Sequence, residues 1–122
     1  MLPKVHRVRK THEYDKIYRN SKRISSNSFL LYCRYISDKQ KNSNTHIQYP
    51  RLGFVASKKV GNAIYRNKAK RLLREAIRQM FPNLKASFEG ILLASPNINT
   101  SNFDDIHNEL LTAFKKAGVI IN

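Results

Sequence analysis

A strand end that runs into one long helix, Ser57 to Phe81 (SKKVGNAIYRNKAKRLLREAIRQMF), constrains this chain more than any other stretch. Gly61 marks the turn, Asn62 can cap the helix that follows, and Pro82 disfavours helix at Phe81. At ~3.6 residues per turn the helical part runs about five turns. Tyr65, Ala69, Leu72, Leu73, Ala76 and Met80 share one face at that period, with Ile77 at its edge, and this face suits burial against a sheet. Asn67, Lys70, Arg71, Arg74 and Arg78 share the opposite face. Lys58, Lys59, Arg66 and Lys68 add to the charge, and Glu75 is the one acid in the stretch. Like charges at i,i+4 repel, so the fold gains nothing from collecting them. Solvated helix faces usually mix signs; this one hardly does, and a polyanion is the expected partner.

The whole chain leans the same way. It has 122 residues, with 23 Lys and Arg against 8 Asp and Glu, a formal charge of +15 and a pI of about 10.3. Such a field implies nucleic acid, an anionic membrane surface or an acidic protein as partner. Hydrophobic residues make up 41% of the chain, enough to fold. The length fits one domain, 1–122, in which 1–10 is a basic extended segment that Pro3 keeps from starting a helix. Cys33 is the only cysteine, so no intramolecular disulfide can form. No run approaches the ~20 apolar residues of a membrane span. The N-terminus lacks the apolar core of a signal peptide. The expected location is the cytoplasm.

Taken in order, Thr11 is placed as the cap of a short helix, His12–Asn20, with Tyr14, Ile17 and Tyr18 as its apolar stripe. A short strand is expected at Lys22–Ser25 and a stronger one at Phe29–Ile36. In the latter, Phe29, Leu31, Cys33 and Tyr35 should face the helices, and Leu30, Tyr32, Arg34 and Ile36 a groove. Ser37–Pro50 reads as a polar loop, and Arg51–Ser57 as a strand in which Gly53 marks a bulge or a close backbone approach. Asn83–Glu89 reads as a connector, Gly90–Ser95 as a strand buried on both faces, and Pro96–Thr100 as a loop. Ser101 is placed as the cap of a last helix, Asn102–Ala117, with Phe103, Ile106, Leu110, Ala113, Phe114 and Ala117 towards the core. Gly118 can close it. The fold class is α/β (α+β), helices covering a small sheet.

Catalytic chemistry is missing from the pattern. His6, His12, His46 and His107 are scattered without zinc-site spacing, and one cysteine cannot complete such a site. Asp104–Asp105 is explained by helix capping. The four glycines are spread singly, so no phosphate-binding glycine loop is present. What remains suits RNA: Lys and Arg for phosphates, Arg forks and Asn67 for directed hydrogen bonds, Tyr14, Tyr18 and Tyr32 as platforms for unpaired bases, and an anion-friendly helix start after Gly61.

The run SKKVGNAIYRNKAKRLLREAIR resembles the signature of the bacterial ribonuclease P protein subunit: a Ser-Lys-Lys strand end, a turn of Val-Gly, then Asn or Lys, then Ala, an Arg-Asn-Arg core and a Lys-Arg-Leu-Leu-Arg-Glu continuation. LPKVHRVRKTHEYDKIYRNSKR, FLLYCRY, RLGFVASKK and GILLASP fall in family order, so the resemblance spans nearly the whole chain. Lys68 stands for the last Arg of the core, keeping the charge without the fork. Tyr14 and Tyr18 stand where the family usually has Phe, and stacking survives that exchange. The resemblance implies an α-β-β-β-α-β-α sandwich with a left-handed β-α-β crossover, against the usual right-handed rule. It implies a protein that does not cut, but assists a catalytic RNA that uses Mg²⁺ to remove the 5′ leader from precursor tRNA. On that reading Lys59, Arg66, Asn67, Lys68, Lys70, Arg71, Arg74 and Arg78 bind the RNA subunit. Tyr14, Tyr18, Tyr32, Lys58, Arg66 and Asn67 bind the single-stranded leader of precursor tRNA, and no metal is held by the protein alone.

The rival readings are another RNA-binding protein such as a ribosomal protein, a DNA-binding domain using Asn62–Met80 as its recognition helix, a membrane-surface helix, and a stand-alone nuclease. The first need not reproduce the motif. The second lacks a preceding helix-turn-helix partner, the third an aromatic centre to its apolar stripe, and the fourth a catalytic cluster.

Overall fold

The computed structural model describes residues 7, 8, 10–36, 50–84 and 87–119. The segments expected as extended (most of 1–10) and as a polar loop (37–49) lie largely outside them. Among the described residues, three helices and four strands follow in the order α1 (Thr11–Asn20), β1 (Lys22–Ser25), β2 (Phe29–Tyr35), β3 (Arg51–Ala56), α2 (Ala63–Met80), β4 (Phe88–Ala94) and α3 (Phe103–Ala117). The strands form one sheet in the order β1-β2-β4-β3. β1 and β4 run antiparallel to β2, and β3 runs parallel to β4. A parallel neighbour needs a crossover, and α2 supplies it.

The alternation of β2 decides the layers. Phe29, Leu31 and Cys33 are buried in the main core with Leu52, Phe54, Phe88 and Leu92. Against this face pack Ala69, Leu73, Ala76, Ile77 and Met80 of α2, and Ile106, Leu110, Ala113 and Phe114 of α3. Each large side chain fully buried there contributes about 1.5–3 kcal/mol. The other face carries Tyr32, Val55 and Ile91 and receives α1 through Ile17, Tyr14 and Tyr18. Val8 donates its N–H to the Leu52 carbonyl at 3.1 Å, so Arg7 and Val8 lie along the outer edge of β3.

Several element ends differ from the sequence expectation. Thr11 is already helical, and Lys10 is the N-cap; its N–H reaches Glu13 Oε1 at 3.1 Å, so the acid three residues on closes the helix start. Asn102, not Ser101, caps α3, accepting from the Asp105 N–H at 2.8 Å. Pro96–Thr100 is a 3₁₀ turn, and so is Phe81–Asn83 after α2. β4 starts at Phe88, inside the expected connector. Asn62 caps α2 as expected, accepting from the N–H groups of Ile64 and Tyr65. Gly118 closes α3 in the left-handed region at φ 75°.

Glu109 of α3 fastens the β1–β2 turn. Its carboxylate accepts from Ser26 Oγ at 2.5 Å, Ser28 N at 2.8 Å and Ser28 Oγ at 2.7 Å. Burial alone would raise its carboxyl, but the hydrogen bonds from Ser26, Ser28 and Asn27 outweigh that and hold it below the usual value. A depressed folded value means the stabilisation is present above the ordinary Glu range, about pH 4.3, and is lost as pH falls through the folded value. Glu109→Gln should therefore be less stable than the wild type at pH 7, and the gap should close below about pH 4. Urea midpoints of both proteins across that range check it; a gap independent of pH would show that charge plays no part.

Candidate nucleic-acid interface

Strand register lays three rows across the α1 face of the sheet. Tyr32, Ile91 and Gly53 form the middle row; Leu30, Leu93 and Val55 form one flank; Arg34, Glu89 and Arg51 form the other. Tyr18 meets Tyr32 edge to face, with centroids 4.7 Å apart and planes at 88°, a favourable geometry for two rings. Tyr14 crosses Gly53 and donates its hydroxyl to the Val8 carbonyl at 3.2 Å. All three tyrosines are half-buried around Ile17 and Ile91, so each keeps an open edge. Burial raises the hydroxyls of Tyr14 and Tyr18 above their ordinary value, and both stay protonated and neutral at physiological pH. Tyr32 thus lies on the face of the sheet that α1 covers.

Gly53 is a close approach, not a bulge. A Cβ at this position would stand 2.7 Å from Cε1 and from the hydroxyl oxygen of Tyr14. The ring is the end of a flexible side chain, so it would swing aside before the sheet moved. Gly53→Ala should therefore displace Tyr14, at a cost of about 1–3 kcal/mol. Ring-selective NMR shifts of Tyr14 check this; an unmoved ring would show that the strand gives way.

The basic element begins on the turn after β3. Lys58 and Lys59 are exposed there and Val60 is buried beneath. Along α2, Asn67, Lys68, Arg71 and Arg78 are exposed, while Arg66, Lys70 and Arg74 are half-buried. The buried stripe is rotated by roughly 30° from the sequence expectation. Ile77, placed at the edge by periodicity, is fully buried, and Tyr65, placed inside, is half exposed. Tyr65 precedes Ala69, the first buried residue of the helix, and so lies in a turn that the core does not reach. The same rotation carries Arg74 to the sheet edge, where its guanidinium sits 5.6 Å from the centroid of Phe54. Arg78 pairs with Glu75 at 3.0 Å on the surface. Arg66 keeps its Nε buried without a hydrogen-bond partner among the described residues, an arrangement that costs about 1–3 kcal/mol and that an acceptor from outside would relieve.

The residues assigned to the leader thus fall on separate elements. The tyrosines form one cluster under α1, whereas Lys58, Arg66 and Asn67 belong to the turn and the start of α2. Arg74 links them: with Arg7, Val8, Tyr14, Leu52, Gly53 and Phe54 it lines a cavity of about 160 Å³.

The flanking row of charges was hidden in the sequence. Glu89 receives Arg34 Nε at 3.0 Å and Arg51 Nη1 at 3.0 Å, and Arg51 Nη2 reaches Glu13 of α1 at 2.5 Å. This chain of alternating charge ties β2, β4 and β3 to α1, which carries Tyr14 and Tyr18.

The same arrangement occurs in known proteins. The Ribonuclease P family profile matches residues 2–118. The chain is 31% identical over 119 residues to the ribonuclease P protein component of Syntrophomonas wolfei, covering 98% of this chain and 92% of that one. It is 33% identical over 118 residues to the ribonuclease P protein component of Clostridium acetobutylicum, covering 97% and 93%. Its fold superposes on the RNase P protein of Staphylococcus aureus with a TM-score of 0.77 at 29% identity, covering 94% of this chain and 97% of that one. The RNase P protein of Thermotoga maritima shares the fold, with a TM-score of 0.74 at 24% identity over 90% and 96% of the chains. With its crossover helix, its open tyrosine face and a profile match across nearly its full length, the chain belongs to the ribonuclease P protein family, the protein component of the ribonucleoprotein that processes tRNA.

Proposed function

We propose that this protein holds the single-stranded 5′ leader of precursor tRNA against the tyrosine face, while α2 docks on a catalytic RNA subunit that performs the cleavage. The observation that carries this reading is the half-buried cluster of Tyr14 and Tyr18 on α1 with Tyr32 on the sheet beneath them, linked through Arg74 to a basic helix. Aromatic rings stack on any base, so leader sequence should matter little. Lys58, Arg66 and Asn67 would serve the leader's phosphates and edges; Lys59, Lys68, Lys70, Arg71, Arg74 and Arg78, again with Arg66 and Asn67, would serve the RNA subunit. The described residues do not bring three carboxylate, His or Cys donors together. Mg²⁺ on this reading belongs to the RNA subunit and its substrate. No helix among the described residues is long and apolar enough to cross a membrane, and the proposed location is the cytoplasm.

Reconstitution with the RNA subunit at low Mg²⁺, assayed by leader removal, tests the reading. The complex should process precursor tRNA, and the protein alone should not. Tyr32→Ala should weaken precursor tRNA binding by about 1–3 kcal/mol and leave mature tRNA binding nearly unchanged. An equal loss for both tRNAs in a stably folded variant would remove the leader from the tyrosine face.

A further inference from the structure

Helical period assigns Tyr65 to the buried face of α2, yet it is 50% exposed, and Ile64 beside it is 76% exposed. The other large exposed hydrophobic residue among those described, Tyr35, is anchored by its hydroxyl to the Ala117 carbonyl at 2.6 Å. Isolated exposed apolar residues need no explanation. These two are adjacent, and Lys58, Lys59, Arg66, Asn67 and Lys68 surround them in sequence.

The Tyr65 ring has a firm seat. Gly61 stands at φ 141°, and a Cβ there would lie 3.0 Å from Tyr65 Cβ and 3.2 Å from its Cδ2. The side chain therefore rests on bare glycine backbone, and the Asn62 cap accepts from the Tyr65 N–H at 3.2 Å, fixing the peptide that carries it. An aromatic face that is held in place, open to solvent and flanked by cations has the chemistry of a stacking platform. The ring accepts a base of any identity, and the neighbouring cations take the phosphates on either side.

We propose that Tyr65, supported by Ile64, stacks on an unpaired base of the RNA subunit. This deepens the reading of α2 as the RNA-subunit face and rests on it. The platform is distinct from the tyrosine groove, whose rings lie under α1 on the opposite face of the sheet.

Affinity for the RNA subunit, measured against salt for wild type, Tyr65→Ala, Tyr65→Phe, Tyr65→Leu and Arg71→Ala, tests it, with thermal melting of each free protein alongside. Tyr65→Ala should weaken binding by about 5- to 150-fold, the range for removing one stacked ring. The loss should be the same at every salt concentration, because no phosphate contact is removed. Tyr65→Phe should bind like the wild type. Tyr65→Leu keeps bulk over Gly61 but has no ring, and should lose most of what Ala loses. Arg71→Ala should instead flatten the salt dependence. Wild-type affinity in Tyr65→Leu overturns the platform, whether or not Tyr65→Ala melts early, and leaves α2 as the RNA face. A salt response that is flat for every protein removes the underlying reading of α2 itself.

Discussion

Glu89→Ala is expected to lower the stability of the free protein by about 3–5 kcal/mol, or roughly 10–20 °C in melting temperature. Glu89 and Arg51 are 6% and 5% exposed, and both carboxylate oxygens of Glu89 are used, one by Arg34 and one by Arg51. Truncation leaves two guanidinium groups in a poorly solvated layer, each short of its acceptor. Arg51 keeps Glu13, which limits the loss without cancelling it. The penalty comes from stranding charge and not from the worth of the pair, so replacing Arg34, Glu89 and Arg51 together by apolar residues of similar volume should cost less than Glu89→Ala alone. Equilibrium denaturation of both variants decides the matter. A loss under about 1 kcal/mol would mean that water reaches the network and that it behaves as a surface pair. The effect should also reach the tyrosine face, since Glu13 is next to Tyr14 and one turn of α1 from Ile17.

This network marks where sequence reasoning stops. Each pair in it is far apart along the chain, 55 residues for Arg34 and Glu89 and 38 for Arg51 and Glu89. The partners meet only through the register of three strands. Nothing local distinguishes Glu89 from a residue of the connector in which periodicity placed it. Features fixed by local chemistry were readable: the Asn62 cap, the left-handed Gly118 and the two faces of β2. The rotation of α2 lies between these cases. A 3.6-residue period locates an apolar stripe, but the sheet and α3 together choose its centre, and they chose Ile77 over Tyr65. Capping of α1 was misplaced for a related reason, since Glu13 closes the helix start from within and needs no side-chain cap from Thr11. The tyrosines of the candidate site could be gathered from β2 alternation and the α1 stripe. Their link to α2 through Arg74 required the sheet edge.

Affinity for the RNA subunit is expected to fall by roughly 10²- to 10⁴-fold between about 50 and 200 mM monovalent salt, if some five to eight cations contact phosphates. The structure ranks those cations. Lys59, Lys68 and Arg71 are exposed, and Arg66 and Lys70 are half-buried. Arg78 already faces Glu75, and Arg74 is engaged over Phe54. Arg71→Ala should therefore reduce the slope of log affinity against log salt by about 0.7–0.9, with little change in stability. Arg78→Ala should change the slope less, because Glu75 is left uncompensated beside the same phosphates. Arg74→Ala should lower stability as well as affinity, since it also uncovers Phe54. Filter binding across the salt series, with melting curves for each variant, separates the three. If Arg74→Ala proved as thermally neutral as Arg71→Ala, the Phe54 contact would carry no weight in the fold. A slope unchanged by all three would place the phosphates elsewhere on the molecule, because a cation that neutralises no phosphate releases no counterion when it is removed.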